Sequence, residues 1–180
     1  MTEGLTMPRT ILFVSLLACT IAATFACNGC VIKKLVVKPC PGTEKTNVIK
    51  MHVDNVVLTS DCKFKTSGST NITKSVKTLD IQYQFQKGIL KKNGQNDGCK
   101  DLEKSSKDKD SEAAMKMFGF PDKCPFEKQH KKYNKEMDVS KYKDKMHLMN
   151  GQSSGKVDMI HGDKGHSCYT FETVVDCKKA

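Results

Sequence analysis

The residues best suited to chemistry in this 180-residue chain are nine cysteines and five histidines. Cys27 and Cys30 form a Cys-x-x-Cys pair, which is the spacing of a redox centre or of half a zinc site. No second pair follows at zinc spacing, so a structural disulfide role is favoured. His161 and His166 flank a turn and could meet across a hairpin, but two imidazoles without further ligands make a weak case for a metal.

Motifs for catalysis are missing from the sequence. It contains neither a Gly-x-Ser-x-Gly nucleophile elbow nor a glycine-rich phosphate loop. We therefore predict no catalytic residue, no cofactor, no metal and no enzymatic activity; a secreted hydrolase is only a third choice.

The N-terminus has the layout of a signal peptide. Arg9 precedes an apolar run over 11–23, and small residues follow up to Ala26. The run is shorter than the roughly 20 residues of a membrane-spanning helix, which makes an anchor the weaker alternative. We predict a signal peptide over 1–26 and one mature domain over 27–180. Cleavage removes Cys19 and leaves an even number of cysteines, as a fully oxidised secreted domain requires: Cys27, Cys30, Cys40, Cys62, Cys99, Cys124, Cys168 and Cys177.

The positive charge of the chain comes almost entirely from lysine. Lys and Arg number 30 against 20 acidic residues, a formal charge of +10, and Arg9 is the only arginine. Nucleic-acid recognition usually uses the guanidinium fork together with aromatic stacking, so nucleic acid is not an expected partner. The favoured interpretation of the dispersed lysines is a solvated surface. The alternative is a transient, peripheral attraction to an anionic membrane surface or acidic glycan, about 1 kcal/mol per lysine near such a surface.

Alternating apolar and polar residues predict several half-buried strands. The clearest run is Leu79, Ile81, Tyr83 and Phe85, and shorter runs lie over 49–57, 157–159 and 169–175. The residues 162–165 read as the loop of a hairpin. The pattern favours an all-β fold, an antiparallel β-sandwich or β-cup.

One segment has helical start and stop signals. Asp110 suits the N-cap, Gly119 suits the left-handed stop, and Pro121 prevents continuation, so a short helix is predicted over 110–118. The preceding insertion over 100–110 is too polar for a core. We expect a flap tied down at Cys99 and Cys124.

The segment 117–126 contains the pattern Gly-x-Pro-x-x-Cys-Pro-Phe, which resembles the ganglioside activator (sphingolipid activator) proteins of the ML lipid-recognition domain family. Other features of the chain fall in the matching order: a strand over 31–39 ending in Lys-Pro, a strand over 78–87, Cys99 before the flap, and a closing stretch over 150–169. The resemblance spans essentially all of the mature chain.

The resemblance implies a cup of two antiparallel sheets that lodges the acyl chains of a lipid, with the flap at its mouth. A known member of the family extracts a glycolipid from a membrane and presents it to a soluble hydrolase. Relatives bind sterols or bacterial lipids, or occur in chemosensory organs. The matched cysteines suggest that Cys99 bonds to Cys124, and that Cys27 or Cys30 bonds to Cys168. Cys40, Cys62 and Cys177 have no counterpart, so the remaining connectivity is open.

The inward-facing positions give a candidate lining for such a cavity. Methionine suits an adaptable apolar surface, and burying one methylene contributes about 0.8 kcal/mol. Ordinary core is the alternative for each residue. The candidates are Met51, Val53, Leu79, Ile81, Tyr83, Phe85, Met115, Phe118, Phe120, Phe126, Val157, Met159 and Phe171.

Asn71 heads the one acceptor pattern for an N-linked glycan, Asn-Ile-Thr. The polar neighbours over 67–70 predict an exposed loop there, and an unmodified loop is the alternative.

The function that the resemblance implies is a secreted lipid-binding and lipid-transfer protein that presents a glycolipid or other lipid to a partner, either a soluble lipid hydrolase or a receptor. The expected location is extracellular, with the lysosomal lumen as the alternative compartment. The alternative function is an extracellular chemosensory or signalling protein that presents a small hydrophobic ligand to a receptor.

Overall fold

The computed structural model describes residues 27–162 and 165–178, so the predicted signal peptide lies outside the described residues. The strands are β1 (Cys30–Pro39), β2 (Ile49–Leu58), β3 (Lys63–Ile72), β4 (Asp80–Lys87), β5 (Leu90–Asp97), β6 (Gln129–Asp138), β7 (Gly151–His161) and β8 (Gly165–Cys177). The helices are α1 (Gly98–Ser105) and α2 (Lys109–Lys116), with 3-10 segments at Cys27–Gly29 and Ser140–Met149.

The strands form two antiparallel sheets. One has the order β1-β8-β7-β4-β5, and the other has the order β2-β3-β6. All the strand pairs are antiparallel. The predicted all-β fold, an antiparallel sandwich or cup, is confirmed.

In strand β4, the alternation of apolar and polar residues in the sequence matches the alternation of half-buried and exposed side chains. Ile81, Tyr83 and Phe85 are half-buried, whereas the three glutamines between and after them are exposed. β4 pairs with both β5 and β7, and the half-buried residues at every second position show that one of its faces turns inward. The predicted hairpin is confirmed as well, because His161 pairs with Gly165 across the β7–β8 turn.

The helical insertion differs from its prediction in having two helices. α1 begins after Asp97, whose side chain accepts a hydrogen bond from the Lys100 amide at 3.1 Å. Asp108, not Asp110, caps α2 by accepting from the Ser111 amide at 3.1 Å. Although the insertion is polar, Leu102 on α1 is only 4% exposed. A single inward leucine is enough to anchor a short amphipathic helix such as α1. The average composition of the insertion does not reveal this leucine.

Two apolar clusters fill the sandwich. The larger one lies next to the helices and has as its buried members Val48, Ile49, Ile72, Val76, Leu79, Leu102, Phe126, Met159 and Tyr169. The smaller one packs around two disulfides and the second 3-10 segment, with Cys27, Cys30, Leu58, Cys62, Val139, Met146 and Val175 buried.

Four disulfides pair the eight cysteines: Cys27 with Cys62, Cys30 with Cys177, Cys40 with Cys168, and Cys99 with Cys124. The predicted Cys99–Cys124 bond is confirmed, and the predicted bond from Cys27 or Cys30 to Cys168 is wrong. The antiparallel register of β1 against β8 is the reason. It sets Cys30 opposite Cys177 and Pro39 opposite Tyr169, so that Cys40 reaches Cys168 at the other end of the pair.

The predicted loop around Asn71 is also wrong. Residues 67–70 belong to β3, the central strand of the smaller sheet, and Asn71 is half-buried near its end. Gly68 in this strand leaves room for a tyrosine of β6, since a Cβ there would approach the Tyr133 hydroxyl oxygen to 2.5 Å. Close packing between strands therefore explains the glycine of this segment.

Candidate functional site

A cavity of about 400 Å³ lies between the two sheets and beneath the helices. Its walls come from four strands of the larger sheet, from β2, and from the helical insertion with the segments that flank it. The lining residues are Leu35, Val37, Met51, Leu79, Ile81, Gly98, Asp101, Leu102, Ser105, Met115, Phe118, Phe120, Phe126, Val157, Met159, Tyr169 and Phe171.

Ten of the thirteen residues predicted from the sequence to share a lining lie together around this cavity. They are Met51, Leu79, Ile81, Met115, Phe118, Phe120, Phe126, Val157, Met159 and Phe171.

The other three predicted residues lie outside the lining. The β2 register shifts immediately after Val53, which interrupts its alternation. Tyr83 lies against β5, where a Cβ on Gly94 would come within 2.4 Å of its ring. Phe85 stacks on the ring of Phe171 with a centroid distance of 6.4 Å, at the edge of the cavity.

Sequence reasoning missed the contributions of β1 and α1 to the wall. Leu35 and Val37 lie in a continuous apolar run with Val36 in β1, so no alternation in the sequence marked their inward face. Leu102 lies among polar residues in the sequence, so its burial was not predicted. Only the fold brings this helix over the cavity.

Gly98 allows α1 to approach the wall closely. Its amide donates to the Leu79 carbonyl at 2.6 Å. A Cβ at this position would come within 2.8 Å of Ile81 Cδ1 and of Leu79 Cγ. The glycine at the first position of the helix is therefore a packing requirement of the cavity wall.

The helical flap is fastened at several points. The Cys99–Cys124 disulfide joins its two ends. Thr66 and Thr70 of β3 donate their hydroxyls to the carbonyls of Met117 and Phe118, at 2.6 and 2.7 Å. These contacts hold the segment after α2 against the smaller sheet, which positions Met115, Phe118 and Phe120 on the cavity.

Tyr169 joins the two sheets at the wall. Its hydroxyl accepts from the Met51 amide at 2.8 Å and donates to the Ile49 carbonyl at 2.9 Å. Burial raises the pKa of this phenol. The polar end of the side chain is thus satisfied by backbone groups, while the residue contributes to the lining.

The two histidines of the β7–β8 hairpin do not meet. His166 pairs with Ile160, so the side chains of His161 and His166 lie on opposite faces of the sheet. His166 bonds to Asp158 at 3.0 Å on the exposed face. In the described part of the chain, no group of three or more His, Cys, Asp or Glu side chains is arranged to hold a metal ion.

His161 is 6% exposed, and its Nε2 lies 2.8 Å from the Ser167 hydroxyl. That hydroxyl also accepts from the Ile49 amide at 2.9 Å, so the pair connects the two sheets. Burial, and to a lesser extent the charge of His166, lowers the pKa of His161 to about 4. Ser167 is fully buried, which gives this Ser–His pair a structural role.

Within residues 27–162 and 165–178, no helix has the length and apolar character needed to cross a bilayer.

Comparison with known proteins gave a related sequence and several similar structures. No protein-family model matches the chain. Chicken MD-1 complexed with lipid IVa has a TM-score of 0.38 and 9% identity, covering 80% of this chain and 94% of that one. A Niemann-Pick type C2 protein from Japanese carpenter ant has a TM-score of 0.32 and 13% identity, covering 79% and 90%. Both scores are low and leave the fold family open.

The sequence match is more informative. Over 124 residues the chain is 32% identical to the sporozoite-associated mosquito saliva protein 1 of Anopheles gambiae, and the match covers 67% of each chain. On this match, the chain belongs to the family of the sporozoite-associated mosquito saliva protein 1.

Proposed function

We propose that this protein binds a lipid by enclosing its apolar chain in the cavity between the two sheets and carries it through an extracellular fluid to a partner. The observation that carries the proposal is the cavity itself, whose walls are formed by side chains such as Met159, Phe126 and Ile81. Its volume of about 400 Å³ falls in the range typical of small-ligand sites.

The chemistry of the walls favours a flexible hydrocarbon chain. Asp101 and Ser105 are the exceptions in an otherwise apolar or aromatic lining. Each buried methylene contributes about 0.8 kcal/mol, so a chain of eight carbons would gain on the order of 6 kcal/mol. In a bilayer the chain is also surrounded by hydrocarbon, so leaving the bilayer costs a similar free energy. Burial in the cavity can offset much of that cost only if the headgroup stays in water at the mouth of the cavity. A glycolipid has such a headgroup.

The proposed location is extracellular. Four disulfides are typical of oxidising compartments. The related mosquito protein is by its name a saliva protein. A signal peptide over 1–26 and a glycan on Asn71 belong to the same proposal, and the lysosomal lumen is the second compartment to test.

The partner that receives the lipid is proposed as a soluble lipid hydrolase or a receptor. The resemblance of 117–126 to the ganglioside activators supports the first. The relationship to a salivary protein supports the second, in which the protein presents a small hydrophobic ligand outside the cell that made it.

Native mass spectrometry of the secreted protein tests binding directly. We expect a fraction of the molecules to carry a non-covalent mass in the lipid range, together with four intact disulfides. A fluorescent fatty-acyl probe should bind the delipidated protein and become protected from water.

A variant that fills the cavity supplies the control. Met115→Trp on α2 should reduce probe binding at least tenfold, because the larger ring occupies space that the acyl chain needs. Val53→Trp is the matched control, since Val53 lies on a strand but outside the lining. Circular dichroism should be unchanged for both. Probe binding that is absent in the wild type, or equal in both variants, would count against a cavity site.

A further inference from the structure

The structure exposes four large apolar side chains that lie on two neighbouring segments. Ile89, in the β4–β5 turn, is 103% exposed, and Leu90 at the start of β5 is 60% exposed. Leu148 and Met149, at the end of the second 3-10 segment, are 65% and 52% exposed. Isolated exposed apolar residues are ordinary, but a group of them marks an interaction surface. We call these four residues the apolar tip.

Contacts between the two segments hold the apolar tip together. The Lys87 amino group donates to the Leu148 carbonyl. Ile89 and Asn150 line the same groove of about 690 Å³, whose other walls are mostly polar or glycine: Gln86, Lys87, Gly88, Gly151, Gln152, Ser153 and Ser154. Two apolar projections therefore flank a groove rich in hydrogen-bonding groups.

The charge around the apolar tip is positive. The turn that carries Ile89 has the sequence Lys-Gly-Ile-Leu-Lys-Lys over 87–92, with no acidic residue. Lys91 and Lys92 are exposed, and neither makes an ion pair with any described residue. The 3-10 segment adds Lys143 and Lys145 against a single acid, Asp144.

We propose that the apolar tip docks the protein on an anionic lipid bilayer, with Ile89, Leu90, Leu148 and Met149 entering the headgroup–acyl boundary and the lysines contacting acidic headgroups. This inference rests on the proposed function, because a lipid carrier must meet a membrane. The apolar tip lies at the Lys87–Leu90 end of the β4–β5 hairpin, and the helices over the cavity follow its Asp80–Asp97 end, so the tip holds the protein at the bilayer without inserting the helices. Projecting apolar side chains beside a polar groove match the apolar interior and polar surface of a bilayer. A second copy of this chain is a poorer occupant, since it would bring two groups of lysines together.

Sedimentation with sucrose-loaded vesicles tests the docking. We expect the wild type to bind vesicles of phosphatidylcholine with phosphatidylserine at least tenfold more tightly than vesicles of phosphatidylcholine alone, and to bind more weakly as salt is raised. Ile89→Ser with Leu90→Ser should weaken binding to the mixed vesicles by about 10- to 100-fold. Val57→Ser is the matched control, because Val57 is 39% exposed and lies on β2, in the other sheet from β4 and β5.

The lysines are tested separately. Lys91→Gln with Lys92→Gln should weaken binding to the mixed vesicles by roughly 30-fold and leave binding to phosphatidylcholine unchanged. Equal binding by the wild type and the Ile89/Leu90 variant would overturn the proposal. A concentration-dependent dimer, seen by sedimentation velocity in the wild type and lost in that variant without any vesicle binding, would overturn it as well.

Probe binding without vesicles separates this inference from the proposed function. Wild type and apolar-tip variants should protect a fatty-acyl probe equally in solution. If the probe binds but vesicles do not, the docking surface is refuted and the carrier function stands. If vesicles bind but the probe does not, the cavity function is refuted and the docking surface stands.

Discussion

Replacing the buried His161 by glutamine should change the pH dependence of folding by an amount that follows from the environment of the imidazole. His161 is 6% exposed, and burial lowers its pKa from 6.5 to about 4. The unfolded chain therefore binds a proton on this residue between these values while the folded protein does not. Over this window stability rises with pH, and the stability that neutral His161 contributes is lost as pH falls.

The expected magnitude is obtained from the two pKa values. Linkage predicts a loss of about 1.4 kcal/mol at roughly pH 5.5 and about 3 kcal/mol at roughly pH 4, relative to neutral pH. The perturbation is His161→Gln, which removes the titration but keeps a nitrogen near the Ser167 hydroxyl. Carboxylates that lose their partners in acid affect both proteins, so the difference between the two isolates His161.

Urea unfolding of both proteins across this pH range measures the effect. The wild type should lose more stability than His161→Gln by the amounts above, and a variant at the exposed His130 of β6 should follow the wild type. Parallel stability curves for the wild type and His161→Gln would refute the reasoning, because they would mean that His161 is not held neutral by burial.

Three further predictions concern the cavity wall. Replacing Cys99 and Cys124 together by serine should loosen the flap and speed the exchange of a bound acyl probe, measured by stopped-flow fluorescence; unchanged rates would show that the disulfide does not restrain the flap. Tyr169→Phe should cost about 1–3 kcal/mol in urea unfolding, because two buried backbone groups lose their shared partner; a loss below a few tenths would indicate that water replaces the hydroxyl. Gly98→Val should lower the melting temperature and shift α1 away from Ile81, visible as faster amide hydrogen exchange in α1, and protection equal to the wild type would contradict the close approach.

Much of the candidate site follows from period-two alternation. Ile81, Val157 and Met159 could be assigned to the buried face from the period of two. The assignment holds because β4 and β7 are each paired on both sides and bury one face. The alternation fails at Val53, where a register shift intervenes, and it cannot tell where along β4 the cavity ends. Tyr83 and Phe85 point inward, but neither lines the cavity. Tyr83 packs against Gly94 of β5, and Phe85 packs against the ring of Phe171.

The polar segment over 100–110 shows a different limit of prediction from the sequence. Its lysines and aspartates make the average composition that of a loop, yet one inward leucine decides that α1 packs on the core. The ganglioside-activator resemblance remains a prediction from the segment 117–126. The relationship to the mosquito saliva protein rests on the sequence match alone.

The sequence by itself determined the all-β architecture and most of the cavity lining, because these depend on alternation along the chain. The bond between Cys99 and Cys124 was implied by the family resemblance of the sequence. The tertiary structure alone decided the partners of Cys168 and His161 and the grouping of Ile89 with Leu148. Those pairings depend on the register between strands distant in sequence, which no local pattern encodes.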